Sequence, residues 1–384
     1  MITISNKADC CGCTACMAIC PKRCISMKTD NEGFRYPFVD TIACINCGLC
    51  ERVCPIINNK EILNAPQIYG VINKDVSILN ESTSGGAFWG LVDYALSENG
   101  VVYGVAYDND FHVHHMREDS LDGCKKFHGA KYVESTIDDN LFANIKADLE
   151  AGLNVLFSGT PCQIAGLKGY LRKEYNNLLT CDLVCSSVPS SMIYSDFLEF
   201  VSQKKRIKNI NMRWKGKGWL RTRPQYLYDD GSIETGTGYA QLWHTIAFSH
   251  LISRPSCHSC RYSNFNRQGD FTIGDFWGFE KFYSEVDYND GVSLLMVNTE
   301  KGKVVFNDIK QRFIVIESDI DHCRQPRLIS PVKSNSRRSE FWNDYPKHSF
   351  EFIARKYWHY GFWNQLKYNT RKRLSKIYHK ITRR

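Results

Sequence analysis

No stretch of the chain approaches the roughly 18 uncharged apolar residues that a membrane-spanning helix needs. The opening residues, Met1 to Cys10, lack the apolar core of a secretory leader, so export is not expected. Low-complexity segments are missing, as is any repeat beyond two short cysteine-rich halves near the N-terminus. Hydrophobic residues make up 43% and aromatics 13%, too much core-forming material for wholesale disorder. At 384 residues there is room for roughly two to three domains. Basic charge is scarce outside the C-terminal tail. From Lys333 onward there are 14 Lys and Arg against 3 Asp and Glu, a charge of +11. Set against a net +8, this leaves −3 on the 332 residues before it. A nucleic-acid protein with a broad basic face is disfavoured by that split.

Cysteine is abundant: 17 residues, 10 of them within the first 54. Disulfide scaffolds are short and secreted, whereas this chain is long and expected in the cytoplasm, where clustered cysteines are metal ligands. Cys10, Cys13, Cys16 and Cys20 follow C-x2-C-x2-C-x3-C with Pro21 next, and Cys44, Cys47, Cys50 and Cys54 repeat it with Pro55 next. This is the two-cluster bacterial ferredoxin pattern, in which the fourth cysteine of each run ligates the other cluster. Cys10, Cys13, Cys16 and Cys54 therefore form one set, and Cys44, Cys47, Cys50 and Cys20 the second. Zinc sites take separated pairs of ligands instead of three in one tight loop. Gly12 and Gly48 are expected to let the backbone approach the sulfides. Cys11 and Cys24 stand outside the pattern as bystanders.

The chain divides into a ferredoxin domain at 1–60, a linker at 61–66, an α/β or α+β body in two parts, 67–150 and 151–330, and a basic helical tail at 331–384. Strands are predicted at 68–72, 101–107, 153–158, 178–184, 271–273 and 293–297, with two more between 220 and 240 around the Asp229-Asp230-Gly231 turn. Helices are predicted at 87–96, 141–149 and 190–204. Among the later cysteines, Cys257 and Cys260 form a C-x2-C pair, while Cys162 and Cys185 each end a strand. On spacing alone these four are either a third four-thiolate site or structural buried cysteines. Ser82 to Gly86 precede a helix and suit a phosphate at its N-terminus, or simply start the helix. That stretch has neither the G-x-G-x-x-G nor the Walker lysine spacing.

His112, His114 and His115 read as a solvated strand face, lacking a Cys or acidic partner at ligand spacing. Asp275 is either a general base or a carboxylate capping turn N–H groups. In the tail, Ile353, Tyr357, Tyr360, Trp363, Leu366, Leu374, Ile377 and Ile381 recur with helical spacing among ten Lys and Arg. That face is expected either to touch an anionic membrane surface, with Trp358 and Trp363 at the headgroups, or to dock on the protein's own body.

Taken in order, Ser84-Gly85-Gly86, Gly129-Ala130-Lys131-Tyr132-Val133, Gly159-Thr160-Pro161-Cys162-Gln163, Cys185 with Val188-Pro189-Ser190, Cys257-x2-Cys260 and Gly269 to Gly278 form a motif series. It resembles the coenzyme F420 hydrogenase/dehydrogenase beta-subunit family, with a two-cluster ferredoxin domain fused in front, over roughly residues 1–325. The resemblance implies an iron–sulfur flavoprotein oxidoreductase. Its two N-terminal 4Fe-4S clusters would be joined by a third on Cys162, Cys185, Cys257 and Cys260. It implies FAD contacts from Ser82, Ser84, Gly85, Gly86, Lys131, Tyr132, Thr160 and Gln163, with Gly85 close against the flavin. It also implies a ferredoxin-like redox partner or second subunit, and a small-molecule carrier or substrate such as coenzyme F420. Similar proteins occur in bacterial polysaccharide gene clusters. A non-catalytic electron-relay subunit is the alternative reading. This chain has Ser186-Ser187 after Cys185 where many relatives have His-Gly.

Overall fold

The computed structural model describes residues 1–58 and 65–361. The N-terminal unit is a small hairpin, β1 (Ile25–Thr29) against antiparallel β2 (Arg35–Val39), flanked by two one-turn helices, Ala15–Ala18 and Leu49–Arg52. Each helix follows a residue in the left-handed region, Thr14 and Gly48, and each begins just before the third cysteine of its run, Cys16 and Cys50. The internal repeat of the sequence is therefore a structural repeat.

The body supplies β3 (Gln67–Asn73), β4 (Gly100–Tyr107), β5 (Val113–Glu118), β6 (Asn154–Gly159), β7 (Leu178–Leu183), β8 (Ile207–Trp214), β9 (Arg223–Tyr228), β10 (Ile233–Thr235), β11 (Phe271–Asp275), β12 (Ser293–Val297) and β13 (Phe313–Ser318). Eight of them form one mixed sheet in the order β13-β3-β12-β11-β7-β6-β4-β5. β4, β6, β7 and β11 run parallel, and β3 points the same way across the antiparallel β12. The sheet crosses residue 150, so the two parts of the body share it.

Alternate residues along these strands face opposite layers. Val102, Leu156, Leu179 and Phe271 pack beneath helices Ala87–Ser97 and Glu300–Ile309. Val101, Tyr103, Val155 and Phe157 pack on helices Leu141–Glu150 and Pro161–Leu171, and Cys13, Ala15 and Val53 join that same layer. The ferredoxin unit thus shares a core with the body. A second, three-stranded sheet, β10-β9-β8, packs with helices Ser191–Ser202, Gly238–Ala247 and Phe350–Trp358.

That last helix settles part of the tail. Ile353, Ala354, Tyr357 and Trp358 are buried in the second core, with Trp358 only 4% exposed. Phe341, on helix Arg338–Asp344, lies edge-on to Tyr357. Up to Trp358 the apolar face is spent on the protein's own body, which corrects the headgroup role expected of Trp358. Trp363, Leu366, Leu374, Ile377 and Ile381 lie outside the described residues. Among the described residues no helix is long and apolar enough to cross a membrane.

Candidate functional site

The two N-terminal cysteine runs exchange their last members as the spacing requires. One cavity is lined by Cys10, Cys13, Cys16 and Cys54. The other is lined by Cys20, Cys44, Cys47 and Cys50. A backbone donor is aimed at one of these sulfurs: Ile2 N–H donates to Cys50 Sγ at 3.3 Å. Burial and the neighbouring sulfurs Cys10 and Cys54 push the Cys16 thiol up to about 12. Four thiolates packed this closely ionise together only around a cationic core, which an iron–sulfur cubane provides. Among the described residues no three His, Cys, Asp or Glu side chains converge on a single-ion site.

The Gly12 N–H lies within hydrogen-bonding reach of the Cys10 thiol, as expected of it, and the glycines of these loops have further duties. Gly12 has φ +74°, and a Cβ there would stand 2.6 Å from Arg254 Nη1, so its bareness makes room for a guanidinium. Gly48 has φ +70° and open space around it, so it serves the left-handed turn before Leu49–Arg52. The two expected bystanders are also placed. Cys24 Sγ lies 3.4 Å from Cys20 Sγ and near Cys44. Cys11 is near both Cys13 and Cys162, and the Cys13 sulfur together with burial holds its thiol well above its usual range.

The four later cysteines come together at the carboxyl edge of the large sheet. Neighbouring parallel strands β6 and β7 end at Gly159 and Leu183, so Cys162 and Cys185 emerge side by side. Open α/β sheets bind ligands at this edge. Cys257 lies in the short helix Pro255–Ser259, and Cys260 caps it. Cys185 is within electrostatic reach of the other three, and burial followed by their charge pushes its thiol well up. Val188 N–H donates to Cys257 Sγ at 3.5 Å, and Thr160 Oγ1 lies 3.1 Å from Cys162 Sγ. Sulfur-directed donors of this kind tune iron–sulfur centres. The donor set suits a third cubane as well as the first two suit theirs.

Tyr262, itself buried, lies within electrostatic reach of Cys11, Cys13, Cys162 and Cys260, members of both the first set and the later one among them. Helix Pro161–Leu171 makes the approach close. Gly166 faces Cys13 and Gly169 faces Val53, and a Cβ on either would stand within 2.6 Å of its neighbour. The stripe Cys162, Gly166, Gly169 at i, i+4 and i+7 was readable in the sequence as one helical face.

The expected flavin residues gather at the same edge. Ala130 N–H donates to Thr83 Oγ1 at 3.2 Å, and Gln163 Nε2 donates to Ser135 Oγ at 3.0 Å. These bonds tie loop 82–86, segment 129–135 and the start of Pro161–Leu171 together. Several of the polar groups are satisfied within the protein. Ser82 Oγ donates to Ile78 O and Ser84 Oγ to Val292 O, each at 2.7 Å. Lys131 Nζ donates to the carbonyls of Lys126, His128 and Gly129, and burial lowers its pKa to about 7. Thr160 N–H donates to Gln163 Oε1 at 2.9 Å, closing a capping box. The Tyr132 ring packs edge-on against Phe248, 4.8 Å between centroids. Gly85 lies under the sheet: a Cβ there would stand 2.1 Å from Val71 O and 2.5 Å from Ser293 N. Its bareness is required by strands β3 and β12, whereas a flavin was expected to require it. Gly86, at φ +77°, starts helix Ala87–Ser97 with no cap of its own; Ala87 N–H donates to Ser293 Oγ at 3.4 Å, and the N–H groups after it are those an anion could take.

Asp275 accepts from Trp219 Nε1 at 2.7 Å and is paired with Arg213, so its carboxylate is held by side chains and not by turn N–H groups. His114 Nε2 lies 3.1 Å from Asp108 Oδ2 and His112 Nδ1 3.7 Å from it, so an acidic partner is present after all. His115 faces the other way, buried and stacked on Phe157.

Comparison with known proteins matches residues 152–322 to the family model for the C-terminal part of the coenzyme F420 hydrogenase/dehydrogenase beta chain, and residues 9–57 to the "4Fe-4S dicluster domain". One component of the F(420)H(2) dehydrogenase of Methanosarcina mazei is 22% identical over 362 residues, spanning 89% of this chain and 94% of that protein. The alignment therefore runs through ferredoxin unit and body alike. The VorC component of the ketoisovalerate oxidoreductase of Methanothermobacter marburgensis is 31% identical over 61 residues, 77% of its own length. A chain of the F420-reducing [NiFe] hydrogenase complex of Methanosarcina barkeri has 18% identity and a TM-score of 0.48, covering 67% of this chain and 84% of that one.

Proposed function

We propose, for a chain that belongs to the coenzyme F420 hydrogenase/dehydrogenase beta-subunit family and carries a 4Fe-4S dicluster domain in front of it, an oxidoreductase that couples three iron–sulfur clusters to an FAD. Bound, clusters supply single electrons and the flavin exchanges one or two with a small molecule, a deazaflavin-like carrier or a polysaccharide-pathway substrate. Cys10, Cys13, Cys16 and Cys54 hold the inner cluster, and Cys20, Cys44, Cys47 and Cys50 the outer. Cys162, Cys185, Cys257 and Cys260 hold the third. The helix start after Gly86 takes the FAD phosphates, and Tyr132, Thr160 and Gln163 line the same edge, while Ser82, Ser84, Gly85 and Lys131 fix the loops that frame it.

The observation that carries this reading is the contact between sets. Cys13 of the inner set packs against Gly166, one turn along the helix whose first turn holds Cys162 of the third set, and Cys11 lies near both cysteines, so the inner and third sets are neighbours within one chain. The outer set faces out, with Cys47 exposed and Ile42 and Ile45 at 98% and 59% exposure beside it. That apolar rim favours docking of a redox partner there, the feature a pure relay subunit would share. Peripheral membrane contact, if it belongs to this chain, rests on residues 362–384, because the helices before them are built into the body.

The test is anaerobic purification with flavin assay, followed by mixing with reduced F420, NADH, candidate sugar substrates and an artificial donor. The proposal expects about one FAD per chain and bleaching of the flavin by at least one two-electron reductant. Full iron with no flavin would leave only the relay reading.

A further inference from the structure

One side chain occupies the junction between the inner and third cysteine sets. Arg254 is 1% exposed, and it is held from both sides. Its Nε donates to Cys10 O at 2.9 Å, and its Nη2 donates to Arg35 O at 2.7 Å and lies 3.9 Å from Cys10 Sγ. Its Nη1 donates to Glu134 Oε1 at 2.7 Å. The guanidinium stacks over Phe34 and Tyr36, 5.2 and 4.7 Å from their centroids. Its backbone belongs to the third set: its N–H donates to Val188 O, and its carbonyl accepts from Cys257 N–H at 2.9 Å.

A guanidinium stays charged at any pH the protein meets, so this is a permanent buried cation. Burying a charge is expensive, and an apolar side chain of similar volume would usually hold such a joint with less penalty. The geometry gives the charge a direction. Glu134 sits at the Nη1 end, while Nε and Nη2 face the Cys10 loop. A cluster that accepts an electron becomes more negative, and in a low-dielectric setting a nearby cation favours that form. The outer set has the Met1 ammonium and Lys22 at its cavity, but both are solvent-exposed, where screening weakens them, whereas Arg254 is buried.

Resting on the cluster reading above, we propose that Arg254 is a positioning residue that raises the reduction potential of the inner cluster relative to the outer one. It also latches the ferredoxin unit to the loop that carries Cys257. Electrons entering at the outer set are thereby drawn to the inner cluster.

The experiment is an EPR-monitored redox titration of full-length, anaerobically purified protein with iron counted on every sample. The variants are Arg254→Lys, Arg254→Met, and Arg254→Met with Glu134→Gln. The double variant leaves no carboxylate buried without its partner. The expected result is wild-type iron in the double variant, with one or two midpoints moved to more negative potential. At least one midpoint stays in place, and Arg254→Lys recovers most of the shift. Unmoved midpoints in the double variant, or all midpoints moving together, overturn the role of Arg254. A wild-type protein with only about eight iron per chain would instead remove the three-cluster reading beneath it, since each cubane carries four.

Discussion

Gly166 and Cys13 meet across the boundary between the ferredoxin unit and the body: a Cβ on Gly166 would stand 2.6 Å from Cys13 Cβ and 2.9 Å from its sulfur. The helix that carries Gly166 holds Cys162 in its first turn, so this contact sets how closely two cysteine sets approach. Replacing this glycine should not harm the helix itself, since valine is a better helix former. Gly166→Val should therefore spare the fold and the third set while displacing the Cys13 loop. Iron should fall by about four per chain, with Cys162-dependent iron retained. Wild-type iron in the variant would show that the loop can yield without losing its cluster.

The C-terminal helices should behave as core. Phe341, Ile353 and Ala354 are fully buried, and Tyr357 and Trp358 nearly so. Removing a buried aromatic side chain typically costs about 3–5 kcal/mol, and truncation after Pro331 removes several. That truncation should yield aggregated or protease-sensitive protein, whereas truncation after Gly361 should melt within a few degrees of the full chain. Thermal melts and limited proteolysis of the two truncations check this.

His115 should make the fold acid-sensitive. Burial lowers its pKa from 6.5 to about 4, so the native ring stays neutral where the unfolded one takes a proton. The unfolded state binds more protons between those values, and stability falls as pH drops from about 6.5 toward about 4. The slope approaches about 1.4 kcal/mol per pH unit at its steepest. His115→Phe should flatten that slope, measured as the difference between wild-type and variant denaturant midpoints at pH 7 and 5.5. Parallel curves for the two proteins would mean that the ring titrates normally.

Much of the large sheet was legible because its strands are short apolar runs ending in turns. Residues 68–72, 178–184 and 293–297 fall on β3, β7 and β12 with ends within two residues. Helix Gly238–Ala247 was hidden because its start follows directly on the β9–β10 hairpin, and β8 because its apolar and polar residues are unevenly mixed. The two N-terminal cysteine runs could be sorted from spacing, since ligand loops are local, whereas spacing alone left the four later cysteines open. What was not legible depended on contacts between distant segments. Nothing local marks Arg254 as the partner of Cys10, 244 positions away. Cys11 looked idle because its neighbour, Cys162, comes from another part of the chain. Gly85 was read as a ligand contact because a sequence cannot say whether a glycine makes room for a cofactor or for a strand.

The central claim is that one chain holds three cubane sets, the third formed by Cys162, Cys185, Cys257 and Cys260. The most direct measurement is iron and labile sulfide on anaerobically purified wild type and Cys162→Ala. The account predicts about twelve of each per chain in the wild type and about eight in the variant, with the N-terminal EPR signals unchanged. About eight in both proteins would contradict it, leaving the later cysteines as buried thiols.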